Sequence, residues 1–167
     1  SSLVNLLLRL YDCTKGSIRI DGVDIKNINK KWLRKNVGII LQEPFLFSRT
    51  IKENITIAKR DADENEIIAA SKAASVHNTI LSFEKGYDTM VGERGVTLSG
   101  GQRQRLAIAR TIIRYIPILV FDDSLSAVDM ETDAAIRKAL KERRKDVTTI
   151  IISHRITTLS EADKIFV

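Results

Sequence analysis

Two short apolar runs, each ending in a chemically active side chain, constrain this chain most. Ile118-Leu119-Val120-Phe121 runs into Asp122-Asp123, and Thr149-Ile150-Ile151-Ile152 runs into Ser153-His154. Continuous aliphatic runs of this length, without polar alternation, predict strands buried on both faces of a parallel sheet, ending at Asp123 and Ser153. A helical apolar period over 132–144 separates them, and a parallel pair needs such a crossover. A strand tipped with two carboxylates carries metal chemistry at its C-terminal end, and the second run repeats the design with a histidine.

Upstream lies Leu98-Ser99-Gly100-Gly101-Gln102, followed by Arg103-Gln104-Arg105-Leu106-Ala107-Ile108-Ala109-Arg110. A serine stands where a helix N-cap belongs, and two glycines leave the next backbone units bare. The amphipathic helix that follows, expected to reach about Arg114, presents unpaired N–H groups and its positive end to an anion. Phosphate is the natural ligand. Taken alone, the run is equally an ordinary capped helix after a turn.

Alternating elements extend through the chain. The first ten residues read as a helix. Ser17-Ile18-Arg19-Ile20 and Val23-Asp24-Ile25 flank Asp21-Gly22, a hairpin turn. A buried strand over 37–41 runs into Gln42-Glu43-Pro44. From about 50 to 95 the apolar period turns helical, with one helix starting at Asp63 and another over 78–83. Strands alternating with helices imply an α/β fold with a largely parallel sheet.

The bulk numbers bound the rest. A chain of 167 residues is one domain's worth of core. No apolar stretch approaches the ~20 residues of a membrane span, and the opening residues do not resemble a signal peptide. The single cysteine, Cys13, rules out an internal disulfide and suits a reducing compartment. The net charge of +6 comes without an aromatic-interleaved basic stripe. It therefore reads as solvated surface, not as a nucleic-acid footprint.

The three motifs, in this order and spacing, resemble the nucleotide-binding domain of an ABC ATPase: its LSGGQ signature, its Walker B strand and its switch histidine. The resemblance spans essentially the whole chain. It implies a P-loop NTPase-type core with a β hairpin on its N-terminal side and an inserted α-helical subdomain. The core would comprise 1–49 and 115–167, and the helical part about 50–114, including the signature helix.

A P-loop has the form G-x-x-x-x-G-K-[ST], and the chain contains none. It opens on Ser1-Ser2 and an apolar helical pattern, as ABC domains do just after the P-loop lysine, and it closes inside an apparent strand. Both ends are those expected of a piece of a larger fold. The resemblance makes Ser1 a Mg²⁺ ligand and places Ser1 and Ser2 at the phosphates. Without the lysine and loop N–H groups, this piece would bind ATP poorly.

Gln42 matches the Q-loop glutamine, whose amide reaches Mg²⁺ or the attacking water, and Asp122 the Walker B aspartate that holds Mg²⁺. Phe45-Leu46-Phe47 and Thr50-Ile51-Lys52-Glu53-Asn54-Ile55 resemble the exporter branch. Leu98, Ser99, Gly100, Gly101 and Gln102 would bind ATP held by a second domain. Ser126 and Asp129 fall in the D-loop, which communicates across that dimer. His154 would contact the γ-phosphate, whereas His77 reads as surface or packing.

Two positions depart from the family pattern. Asp123 stands where a glutamate normally polarises the water, one methylene shorter, and a displacement of about 1 Å at such a group costs on the order of 100-fold in rate. Met90 stands where exporters often carry a glutamate in a loop that responds to the transmembrane domains, and reads instead as a packing residue. An intact signature beside an altered Walker B points to one half of a heterodimeric exporter, with ATP and Mg²⁺ as ligands and upstream transmembrane domains as partners, at the cytoplasmic face of the membrane. A competent homodimer and a non-hydrolysing regulatory module are the alternatives. A DNA-repair ATPase would carry coiled-coil sequence in its helical region, and none is present.

Overall fold

Three parallel strands in the order β3–β4–β5 position everything else: β3 (Val37–Ile40), β4 (Ile118–Asp122) and β5 (Thr148–Ile152). Ile40 lies opposite Phe121 and Phe121 opposite Ile151, while Asp122 pairs with Ile152 beyond the end of β3. The computed structural model describes residues 2–92, 95–143, 146–160 and 162–166. Its α/β architecture and parallel sheet agree with expectation. β4 and β5 end one residue before the expected Asp123 and Ser153.

Side chains alternate across the sheet, and each face has its own apolar cluster. Ile40, Leu119, Phe121 and Ile151 face a cluster built with α3 (Ile51–Thr56), α4 (Glu64–Ala73), α5 (His77–Leu81), α6 (Gly100–Ile112) and α7 (Met130–Arg143). α6 packs on β3, α3 and α4, joining the sheet to the helices. Gly38 makes room for this: a Cβ there would lie 2.7 Å from Ile116 Cδ1 and 3.0 Å from Thr111 Cγ2. On the other face Val37, Val120, Ile150 and Ile152 meet α1 (Ser2–Leu7), a hairpin of β1 (Arg19–Ile20) and β2 (Val23–Asp24), and α2 (Lys30–Asn36).

Local chemistry explains where the elements depart from the expected limits. α1 stops at Leu7 because Arg9 turns left-handed (φ 51°), so that Leu10 N–H reaches Asn5 O and Arg9 N–H reaches Leu6 O. That is a Schellman ending with arginine in the place of the usual glycine. The Arg9 guanidinium then donates to the carbonyls of Ile25, Lys26 and Ile28, tying the helix end to the segment after the hairpin. The hairpin turn has Asp21 and Gly22 both at positive φ, the type I′ form.

α2 has too little apolar sequence to be foreseen. Asn29 starts it by accepting from the N–H groups of Lys31 and Trp32. The stretch from 50 to 95 forms α3, α4, α5 and a 3-10 turn, Gly86–Asp88, with a bridge between Thr50 and Met90. Helices α3 and α4 each begin with a capping box, Thr50 with Glu53 and Asp63 with Glu66. His77 opens α5 and shares a 2.8 Å hydrogen bond with the Tyr87 hydroxyl. Met90 is exposed instead of packed.

Candidate nucleotide site

The C-terminal edge of the sheet carries the acidic chemistry. Asp122 ends β4, and at Asp123 the backbone turns left-handed (φ 48°) while its N–H donates to Ile152 O at 2.9 Å. Among non-glycine residues, Asp and Asn tolerate this conformation best. The Asp123 carbonyl is held in turn by the Ser126 hydroxyl at 2.7 Å and the Ser126 N–H at 3.3 Å. Asp123 is thus the half-buried corner of a tight turn.

Gln42 reaches that carboxylate from the end of β3. Its Nε2 donates to Asp123 Oδ2 at 3.1 Å. One amide atom is therefore committed to the acid, and Oε1 is the atom left for a cation or a water. Asp122 carboxylate and Gln42 Oε1 are hard oxygen donors of the kind Mg²⁺ takes. Among the described residues no cluster of three or more His, Cys, Asp and Glu side chains forms a metal cage, and Mg²⁺ commonly binds through one or two carboxylates plus phosphate oxygens.

Across from this edge the signature opens α6. Ser99 Oγ accepts from Gln102 N–H at 3.2 Å, and Gln102 Oε1 accepts from Ser99 N–H at 2.8 Å. Gln102 is therefore spent on its own helix start, and Leu98 packs into the core. The two glycines differ. Among the described residues a Cβ at Gly100 would meet nothing within 4 Å, whereas one at Gly101 would stand 3.0 Å from the Ala127 carbonyl oxygen. Gly100 leaves open space, and Gly101 lets the segment after Asp123 lie against the helix. Gln42, Glu43, Pro44, Phe45, Gly100, Arg103, Ser126 and Ala127 line a cleft of about 630 Å³ here.

Arg155 fastens the 126–129 segment. Its guanidinium donates to Ser126 O at 2.7 Å and Val128 O at 3.0 Å, while its N–H donates to Ser153 Oγ at 3.0 Å. Asp129 accepts from Thr132 N–H and from Thr132 Oγ1, each at 2.8 Å, at the start of α7. The backbone bond from Thr132 lowers its pKa, with the hydroxyl bond adding to the effect.

Of the residues singled out in the sequence, Gln42, Asp122, Asp123 and Ser126 converge on this edge. His154 is exposed two residues past β5, and Ser2 is exposed at the start of α1. Ser1 lies outside the described residues. Three supporting residues escaped notice. Gln104 is fully buried, with Nε2 donating to Leu41 O at 2.9 Å. Arg155 is the second, and Arg110 donates to Phe45 O at 2.9 Å, burial lowering its pKa. A polar residue at a sheet-facing position of α6 was the available signal for Gln104. The other two bond to main-chain carbonyls far away in sequence, which no local pattern reveals.

Known proteins bear on the same residues. The family model for the ABC transporter matches residues 1–126. A Bacillus subtilis protein named as a multidrug export ATP-binding/permease protein, YgaD, is 50% identical over 167 residues, 100% of this chain and 29% of its own length. The multidrug resistance protein pgp-1 of Caenorhabditis elegans is 48% identical over 165 residues, 99% of this chain and 12% of its own length. The chain thus spans less than a third of either relative. A bacterial Atm1-family ABC exporter with ATP bound superposes with a TM-score of 0.91 at 42% identity, covering 97% of this chain and 29% of that one. Signature, acidic sheet edge and family match agree: the chain belongs to the ABC transporter family, as part of its ATP-binding domain.

Proposed function

We propose that this chain powers export of a substrate across a membrane by binding and hydrolysing ATP, as the cassette of an exporter half whose own ATP site is slow. The observation that carries the reading is the hydrogen bond from Gln42 Nε2 to Asp123 Oδ2 at 3.1 Å. It joins a strand-end amide and a carboxylate next to the metal-binding candidate Asp122, the set needed to orient a water at a phosphate.

In this reading the water oxygen attacks the γ-phosphorus, the bond to the β–γ bridging oxygen breaks, and ADP leaves with the electron pair. Asp123 takes the water proton, Gln42 orients the Asp123 carboxylate, and His154 contacts the γ-phosphate. Mg²⁺, held by Ser1, Asp122 and Gln42, would neutralise phosphate charge. Ser2, exposed at the start of α1, would lie beside the phosphates. Positioning and electrostatics carry such a step more than covalent chemistry, so reach matters. The aspartate carboxylate is one methylene shorter than the family's glutamate, and that shorter reach supports a slow site.

Two such domains would sandwich ATP between one chain's core and the other's Leu98-Ser99-Gly100-Gly101-Gln102, with Ser126 and Asp129 at the seam. The intact signature would serve a competent site on a different partner chain, making a heterodimer. We assign 1–49 and 115–167 to the nucleotide core and about 50–114 to the helical part, with α6 packed against both. Among the described residues no helix is long and apolar enough to cross a membrane. The relatives named as ATP-binding/permease proteins support transmembrane partner domains in the same polypeptide, with this domain on the cytoplasmic face.

Steady-state ATP hydrolysis by the full-length polypeptide without a partner, beside Asp123→Glu, tests the reading. The expected result is bound ATP, slow turnover, and a rise of about tenfold or more in the glutamate variant. Fast Mg²⁺-dependent turnover by the unmodified protein would establish a working homodimer instead.

A further inference from the structure

Gln104 occupies the position from which Ala107, Ile108 and Ile112 continue the buried stripe of α6. It has no solvent exposure. Its Nε2 donates to Leu41 O at 2.9 Å, and its Oε1 is buried with no hydrogen-bond partner among the described residues. Leaving an amide oxygen buried and unpaired is unfavourable, and an apolar side chain of similar size would fill the same space without that loss. Packing therefore does not account for the amide.

The Leu41 carbonyl does. The ladder between β3 and β4 ends at the pair Ile40–Phe121, so Leu41 lies one residue beyond it and takes its hydrogen bond from Gln104. The next residue is Gln42, whose own amide donates to Asp123. A chain of contacts thus runs from α6 through Gln104 and the Leu41 carbonyl to Gln42 and the Asp123 carboxylate. The same helix begins, five residues earlier, at the N-cap Ser99.

We infer that Gln104 is a positioning residue: by holding the Leu41 carbonyl it sets where Gln42 stands and how Asp123 is presented, and it links that placement to the helix that carries the signature. The inference rests on the functional reading above. Gln104 acts through Gln42 and touches neither nucleotide nor water. A displacement of α6 when a second domain's ATP meets Ser99–Gln102 would be transmitted to the same chain's own Gln42.

The test compares Gln104→Met, Gln42→Ala and the double variant in the full-length polypeptide. Methionine keeps the bulk and removes the donor. The expected result is a fall in kcat of about tenfold to a hundredfold, an ATP KM within about twofold of the unmodified value, and a double variant no slower than Gln42→Ala. Additive losses, an unchanged kcat, or a change in KM alone would overturn it. A second readout stands apart from turnover. Hydrogen exchange of the 41–43 amides should speed up about tenfold in Gln104→Met while α3 stays unchanged. If the unmodified protein hydrolyses no ATP, the functional reading fails and exchange alone decides the link; unchanged exchange over 41–43 overturns it.

Discussion

At the start of α4, Asp63 Oδ1 accepts from Glu66 N–H at 2.8 Å and Glu66 Oε2 accepts from Asp63 N–H at 3.2 Å. At the start of α6, Ser99 and Gln102 exchange the same two bonds. The residues between differ. α4 carries Glu64 and Glu66 in its first turn, and Glu66 is also paired with Lys59. α6 has no acid in its first turn, two glycines after the cap, and Arg103 and Arg105 close behind. The first helix neutralises its own positive end with its own carboxylates. The second leaves that end uncompensated and its backbone bare. A capping box specifies where a helix begins; charge and bulk in the next two positions decide whether the start can receive an anion.

The strongest way to break this comparison is to give α6 the character of α4. Gly101→Asp adds a carboxylate at the positive end and places a Cβ 3.0 Å from the Ala127 carbonyl. ATP hydrolysis by the assembled full-length transporter should fall about 100-fold or more, since a displacement near 1 Å at a catalytic element suffices for that. The matched change Asn65→Asp, at the corresponding position of α4, should leave hydrolysis unaltered. Equal losses in both would show that helix stability alone, not anion access, limits the rate.

Much of this was legible in the residues. The apolar runs 118–121 and 149–152 placed the parallel sheet, though each strand stops one residue short of the end read for it, and Ser99-Gly100-Gly101 placed the start of α6. Gln42 was legible from its position after a strand, although its direct bond to Asp123 was not, since 81 positions separate the two. What stayed hidden is long-range main-chain satisfaction. Arg155 serves the carbonyls of Ser126 and Val128, and Gln104 that of Leu41. Such partners are set by how the elements pack, and periodicity carries no trace of them. α2 was missed because Asn29 and its hydrogen bonds, rather than an apolar stripe, specify its start.

A smaller effect separates the shared part of the two helix starts from the unshared part. Ser99→Ala and Asp63→Ala each remove one capping acceptor, a change worth about 1 kcal/mol, or a Tm drop of roughly 2–4 °C in a chain of this size. Thermal unfolding should show similar losses for both. Only Ser99→Ala should also slow ATP hydrolysis, because only that helix start faces the cleft with Gln42 and Ser126. If Asp63→Ala slows hydrolysis as much, the distinction drawn between the two starts is wrong.

The smallest effect sharpens the comparison with a third helix start. Asp129 holds both Thr132 N–H and Thr132 Oγ1 as α7 begins, so here a charged side chain does what neutral Ser99 does at α6. Its pKa is lowered from 3.8, chiefly by the backbone bond from Thr132. A folded-state value below the unfolded one means that the carboxylate stabilises the fold above pH 3.8, and that this contribution is lost as pH falls below 3.8 through the lowered folded value. Asparagine caps nearly as well but does not titrate in this range. Asp129→Asn should therefore leave Tm almost unchanged at neutral pH and make its decline below pH 3.8 shallower. Ser99→Asp should do the reverse, adding an acid-sensitive component to the start of α6. Parallel acid limbs for the unmodified protein and Asp129→Asn would mean that Thr132 finds another acceptor once Asp129 is protonated, and that the charge of this cap contributes nothing to where α7 begins.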